Sequence, residues 1–148
     1  MPVFIMMVGI PGSGKSMLAE RLAREGGAVL VSTDRLRAEL TGSAEDRSRD
    51  RLVFARAAID IETALGHGLD VIYDATNLTV RDRARILRLL PSGTKKICCY
   101  LKVPLEKALA RNLGRERVVP PEVVEAMHAR LQEPRMEEGW DEIRIVEV

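Results

Sequence analysis

The sequence predicts an α/β protein of three layers, a parallel sheet of about five strands flanked by helices. Three observations carry that expectation. Short apolar runs alternate along the chain with segments whose apolar residues fall at helical spacing, the rhythm of repeated strand–helix units. The first run, Val3 to Val8, is apolar at every position, as suits a strand buried on both faces. That run leads at once into a glycine-rich turn, Gly9 to Gly14, and then into helical spacing.

The remaining elements follow in order. Helical spacing resumes at Met17, Leu18 and Leu22. Ala28 to Val31 is a second apolar run, and Ser32-Thr33-Asp34 offers capping side chains for a helix carrying Leu36 and Leu40. From about Asp46 to Leu65, the residues Leu52, Val53, Ala57, Ile59, Ile61 and Leu65 suit one long helix, ended by Gly66 and Gly68. Leu69 to Tyr73 is a third strand, and Val80 to Leu90 a helix that stops at Pro91. Lys95 to Val103 is strand-like and Pro104 to Leu113 helical. Pro120-Pro121 opens a helix to Leu131, and Ile143 to Val148 alternates as a last strand. No repeat or linker interrupts the series, so residues 1–148 are expected to form a single domain.

Composition narrows the classes. With 148 residues, 46% of them hydrophobic, the chain can bury a core. No stretch approaches the roughly 18 apolar residues that cross a bilayer, and the N-terminal segment has no basic leader or small-residue cleavage site. A cytoplasmic protein with no membrane partner is expected, and no protein partner is evident. Cys98 and Cys99 are adjacent, which favours neither a structural disulfide nor a zinc site; they read as core and surface filler. His67 and His128 lack a partner constellation. The net charge is +1, but 18 of the basic residues are Arg and only 5 Lys, a bias toward the planar fork that grips phosphate.

The segment Gly9-Ile10-Pro11-Gly12-Ser13-Gly14-Lys15-Ser16 satisfies G-x-x-x-x-G-K-[ST] between the first strand and the first helix. Its glycines let backbone N–H groups curl around a phosphate, and the helix beginning near Lys15 turns its positive end toward the same anion. Gly12, Ser13, Gly14, Lys15, Ser16 and Met17 are the candidate nucleotide-binding residues. Lys15 adds charge at the β- and γ-phosphates of ATP or another triphosphate. The Ser16 hydroxyl is a candidate ligand for Mg²⁺, which is expected to arrive with the nucleotide and not in a protein cage.

Asp34 follows the second strand directly, which places it at the carboxyl edge of a parallel sheet, where ligands bind. There it could take the proton of an acceptor hydroxyl, with Arg37 one turn on to hold an anionic part of the acceptor. The alternative is a helix cap beside a solvated charge. Asp74 ends the third strand at the same edge, a second candidate for the metal through a bound water, with Thr76 and Asn77 lining the crevice; the alternative is a capped turn. Residues 111–119, carrying Arg111, Arg115 and Arg117 around Gly114, read either as a small mobile lid that brings an arginine over the phosphates or as a solvated loop.

Taken together, the phosphate loop, Ser32-Thr33-Asp34 with Arg37, Asp74-Ala75-Thr76-Asn77-Leu78, and Arg111-Asn112 with Arg115 followed by Val119-Pro120 and Met127 resemble the kinase domain of phage and bacterial polynucleotide 5′-kinases, within the P-loop kinases. The resemblance spans most of the chain. It implies a P-loop NTPase fold, an ATP site and a nucleic-acid acceptor site meeting at Lys15, and DNA or RNA entering from the Asp34 side. It further implies Asp34 as general base for a 5′-hydroxyl, Arg37 on the acceptor's phosphate, Arg115 on the transferring phosphate and Arg111 near the adenine. No D-x-D-x-T phosphatase motif is present, so kinase-only end healing is expected. Small-molecule and tRNA-directed kinases share much of this pattern, and a kinase of a sugar, nucleoside or antibiotic hydroxyl remains open, as does a non-catalytic ATP-binding switch.

Outside these motifs, Arg81, Arg85 and Arg88 form a helical ridge that suits a solvated face or a nucleic-acid backbone. Arg47, Arg49, Arg51 and Arg56 are interleaved with Glu45, Asp46 and Asp50, which favours local ion pairs. Aromatics are too few for a broad base-stacking platform, so contact with few nucleotides is expected.

Overall fold

A computed structural model describes residues 1–148. The elements are β1 (Val3–Val8), α1 (Lys15–Gly26), β2 (Val29–Ser32), α2 (Thr33–Thr41), α3 (Asp50–Gly66), β3 (Val71–Asp74), α4 (Val80–Leu87), β4 (Lys95–Lys102), α5 (Leu105–Leu113), α6 (Pro121–Arg130), a short 3-10 helix (Met136–Glu138) and β5 (Glu142–Glu147). All five strands are parallel, in the order β2-β3-β1-β4-β5. Because strand side chains alternate, β1 divides its apolar run between two cores. Phe4, Met6 and Val8 join Val53, Ala57 and Ile61 of α3 and Ile86 of α4 on one face. Met7 packs with Ala19 of α1 and with Cys99 and Leu101 of β4 on the other. The three layers expected from the alternation are therefore present.

The sequence-based boundaries shift where side chains compete for the backbone. The long helix starts at Asp50 and not near Asp46, because the Asp46 carboxylate accepts hydrogen bonds from the Ser48 amide at 3.0 Å and hydroxyl at 2.6 Å, which holds a turn. The third strand begins at Val71; Asp70 instead accepts the Val3 amide proton at 2.8 Å, tying the strand's start to β1. Neither cysteine is surface filler, since both faces of β4 are covered and both thiols are buried. Burial pushes the Cys98 thiol up to about 12, and the Cys99 thiol up as well.

One buried ion pair braces the layers. Arg83 of α4, with no exposed surface, donates from Nε and Nη2 to Glu138 at 2.7 and 3.1 Å, and from Nη1 to the carbonyls of Asn77 and Leu78 at 2.9 and 3.1 Å. The 3-10 helix is thereby fastened to the turn after β3. Removing one partner leaves an uncompensated charge, so Glu138→Ala is expected to lower the unfolding free energy by about 3–5 kcal/mol, readable by urea titration. Burial alone would raise the Glu138 pKa, but hydrogen bonds from Arg83 and from the Arg135 amide outweigh it and the net shift is downward. The pair's contribution is thus present above the carboxyl's ordinary 4.5 and is lost as pH falls through its lowered native value. Wild type should lose stability through that acid window more steeply than Glu138→Gln.

The sheet order also builds the site. β3 lies between β1 and β2, so the loop leaving β1, the start of α2 and the end of β3 converge at one carboxyl edge. Ser32 and Asp74 are register partners, and Thr33 Oγ1 donates to the Asp74 carbonyl at 3.5 Å.

Candidate active site

The glycine-rich loop has the backbone its composition anticipates. Gly12 and Gly14 both take φ 88°, in the left-handed region. A Cβ on Gly12 would stand 2.2 Å from the Ala108 carbonyl oxygen, so the loop is pressed against α5 and no side chain fits. Gly14 caps α1 without a side chain, which leaves the first helical N–H groups, those of Lys15, Ser16 and Met17 among them, free for an anion. The Met17 side chain itself is exposed. The Gly9 amide donates to the Thr76 carbonyl at 3.2 Å, joining the loop to the turn after β3.

Three buried polar atoms at this edge have no hydrogen-bond partner within the protein. Lys15 Nζ lies 3.2 Å from Asp74 Oδ1. That contact is one of charge, off the hydrogen-bonding direction, and Oδ1 is buried without an aligned donor. Ser13 Oγ and Arg115 Nη1 are likewise buried with no partner. Buried polar atoms are seldom left so, and a phosphate oxygen or a hard cation would complete each. A carboxylate and a serine hydroxyl are oxygen donors of the kind Mg²⁺ takes, so Asp74 and Ser16 fit that ion.

At the head of α2, Ser32 and not Asp34 is the cap, accepting the Arg35 amide proton at 3.3 Å. The Asp34 carboxylate is thereby released from capping. Its Oδ1 receives Arg37 Nη1 at 2.9 Å and its Oδ2 receives Arg117 Nη2 at 2.7 Å. Arg37 is not the free grip that the resemblance implies. It is 2% exposed, and donates to Asp50 from Nε at 2.7 Å and from Nη2 at 3.4 Å, and from Nη1 to the Ala44 carbonyl at 3.5 Å. It is a strut beneath Asp34. Asn77 has a structural task as well: at φ 49° its amide donates to the carbonyls of Met7 at 2.7 Å and Ala75 at 3.2 Å, clamping the end of β1 to the turn. Thr76 lines the crevice.

The segment after α5 closes over this edge. Buried Asn112 donates to the Val119 carbonyl at 2.6 Å and accepts its amide proton at 3.1 Å, fixing both feet of the intervening loop. Arg111 reaches back beside Gly14. Arg115 and Arg117 both line a cavity of about 500 Å³ shared with Lys15, Asp34, Asp74's neighbour Tyr73 and Thr76. Burial, with the charges of Asp82 and Asp74 behind it, pushes the Tyr73 phenol up, so it stays protonated near neutrality. Seven cationic side chains and three carboxylates line this cavity, which suits an anionic ligand. From sequence, Asp50 was read only as a local ion-pair partner and Asn112 only as part of the motif that carries the resemblance; their tasks at this edge come from the structure. Arg117 stood out only as one of three arginines in the loop, whereas the resemblance picked out Arg115.

Comparison with known proteins agrees with this geometry. The family model AAA_33, an AAA domain, matches residues 4–134. An L-seryl-tRNA(Sec) kinase of Methanococcus maripaludis is 26% identical over 94% of this chain, and this chain spans 56% of that protein's length. A cytidylate kinase of Aeropyrum pernix is 32% identical over 126 residues, covering 75% of this chain and 72% of its own. Among solved structures, a chain of the Pnkp1/Rnl/Hen1 RNA repair complex superposes with a TM-score of 0.78 at 23% identity, over 88% of this chain and 44% of that one. A gluconokinase from Sinorhizobium meliloti 1021 superposes with a TM-score of 0.68 at 21% identity, over 99% of this chain and 83% of its own. No helix is long and apolar enough to cross a membrane. With the family model covering most of its length and a complete phosphate loop at the head of α1, this chain belongs to the AAA_33 family and carries a P-loop kinase domain.

Proposed function

We propose that the chain is an ATP-dependent polynucleotide 5′-hydroxyl kinase. The observation that carries this reading is the pairing, in one cationic cavity, of the phosphate loop with an uncapped carboxylate, Asp34, flanked by arginines. A hydroxyl is the acceptor that needs such a base. An anionic chain is the acceptor that such a cavity attracts. In this reading Asp34 takes the proton of the 5′-hydroxyl as its oxygen bonds to the γ-phosphorus, and the bond from that phosphorus to the β–γ bridging oxygen breaks to release ADP. Lys15 and Arg115 hold oxygens of the transferring group, and Arg111 lies beside the loop on the nucleotide side. Thr76 and Asn77 shape the acceptor's crevice, and Arg37 keeps Asp34 in place. Mg²⁺, bound by Ser16 and through Asp74, supplies neutralisation of the triphosphate's charge.

The test is transfer of labelled γ-phosphate from ATP·Mg²⁺ to a short 5′-hydroxyl oligonucleotide, beside a 5′-phosphorylated control and a panel containing gluconate, cytidine monophosphate, sugars and nucleosides. Labelling of the 5′-hydroxyl oligonucleotide alone is expected. Labelling of a small molecule with none of the oligonucleotide would move the acceptor to that class.

A further inference from the structure

We infer that Arg117 is the residue that recognises the acceptor's anion, the phosphodiester next to the attacked hydroxyl, and that it does so by exchanging that oxyanion for Asp34. The inference rests on the polynucleotide reading. Both oxygens of Asp34 accept from guanidinium groups, at 2.9 and 2.7 Å; each keeps a second lone pair, but an acceptor hydroxyl would have to share its oxygen with a bound cation. Release of one of the two arginines would clear an oxygen for the acceptor.

The two are not equally free to do so. Arg37 is 2% exposed and has Asp50 and the Ala44 carbonyl as further partners, so at most one of its five N–H groups remains. Moving it would strand Asp50 as well. Arg117 has 27% of its side chain exposed and makes one side-chain hydrogen bond, the 2.7 Å bond to Asp34 Oδ2. It also sits on a loop whose feet are pinned by the Asn112–Val119 pair, so the loop can shift while its ends stay fixed.

The Asp34 oxygen that Arg117 now holds stands in for an acceptor oxyanion. The guanidinium already holds an anionic oxygen through Nη2 alone, so its other N–H donors are available to a phosphodiester. An entering chain offers Arg117 a replacement anion, and the exchange leaves Asp34 Oδ2 open toward the hydroxyl. Acceptors with an anion beside the hydroxyl are thereby favoured over neutral ones. Arg115, two residues earlier, keeps its buried, unpaired Nη1 for the transferring phosphate.

The experiment compares two 5′-hydroxyl trinucleotides, one natural and one with a neutral methylphosphonate as its first internucleotide linkage, in transfer from ATP·Mg²⁺. Wild type is expected to prefer the charged acceptor by about 10- to 100-fold in kcat/KM, the range for a charge-assisted hydrogen bond. Arg117→Ala and Arg117→Gln should reduce that preference to within about 3-fold, chiefly through KM, whereas Arg115→Ala should keep it while slowing both acceptors. If both Arg117 variants retain the wild-type preference, or wild type shows none, the assignment to Arg117 is wrong although the polynucleotide reading stands. If wild type labels neither trinucleotide, the polynucleotide reading itself falls, and the assignment with it.

Discussion

Asp34→Asn should lower the transfer rate by roughly 10³-fold, within the usual span for loss of a general base, while ATP affinity stays close to that of wild type. The amide is nearly isosteric and retains one oxygen for Arg37, so the strut to Asp50 survives. What it loses is the ability to take a proton. Asp34 lies at the head of α2, on the acceptor side of the cavity, while the nucleotide is expected at the head of α1, which is why binding and turnover should separate. Titration with ATP·Mg²⁺ beside single-turnover transfer gives both numbers. Turnover equal to wild type would remove Asp34 as the base, and a parallel collapse of ATP affinity would make it a nucleotide ligand.

Arg115→Ala is expected to reduce transfer by about 10³-fold or more, the scale seen when an arginine that stabilises charge on a transferring phosphoryl group is lost. The physical ground is the state of its guanidinium: Nη1 is buried and has no acceptor within the protein. A buried donor kept without a partner costs stability, and the cost is offset only when an oxyanion arrives. Because charge on the γ-phosphate oxygens redistributes in the transition state, the loss should fall on kcat more than on ATP binding. An equal loss in both would mean that Arg115 binds the ground-state triphosphate and nothing more. Removing the side chain should not destabilise the fold, and a thermal melt at or above the wild-type value would support that view of a donor poorly served in the free protein.

Much of the architecture was legible along the chain. Strand β1 announced itself because each of its residues is apolar, and the sheet covers both its faces. The phosphate loop was legible because its function depends on backbone conformation, which Gly12 and Gly14 encode locally. Asp34 and Asp74 could be assigned to one edge from strand direction alone, since in a parallel sheet every strand ends at the same side. Boundaries were less legible where a side chain captured a nearby amide, as Asp46 does before α3.

The sequence by itself determined the order of strands and helices, the cradle for phosphate and the identity of the carboxylates at the sheet's edge. Only the tertiary structure decided which charges are locked in ion pairs and which are left without a partner. Arg37 looked like a ligand for the acceptor until Asp50, 13 residues away, engaged it; Arg117 gained its importance by meeting Asp34 across 83 residues, and Arg83 by meeting Glu138 across 55. The reason is physical: hydrophobic period and turn chemistry act between near neighbours, whereas an ion pair forms wherever folding brings two charges together away from water, a meeting that no local pattern records.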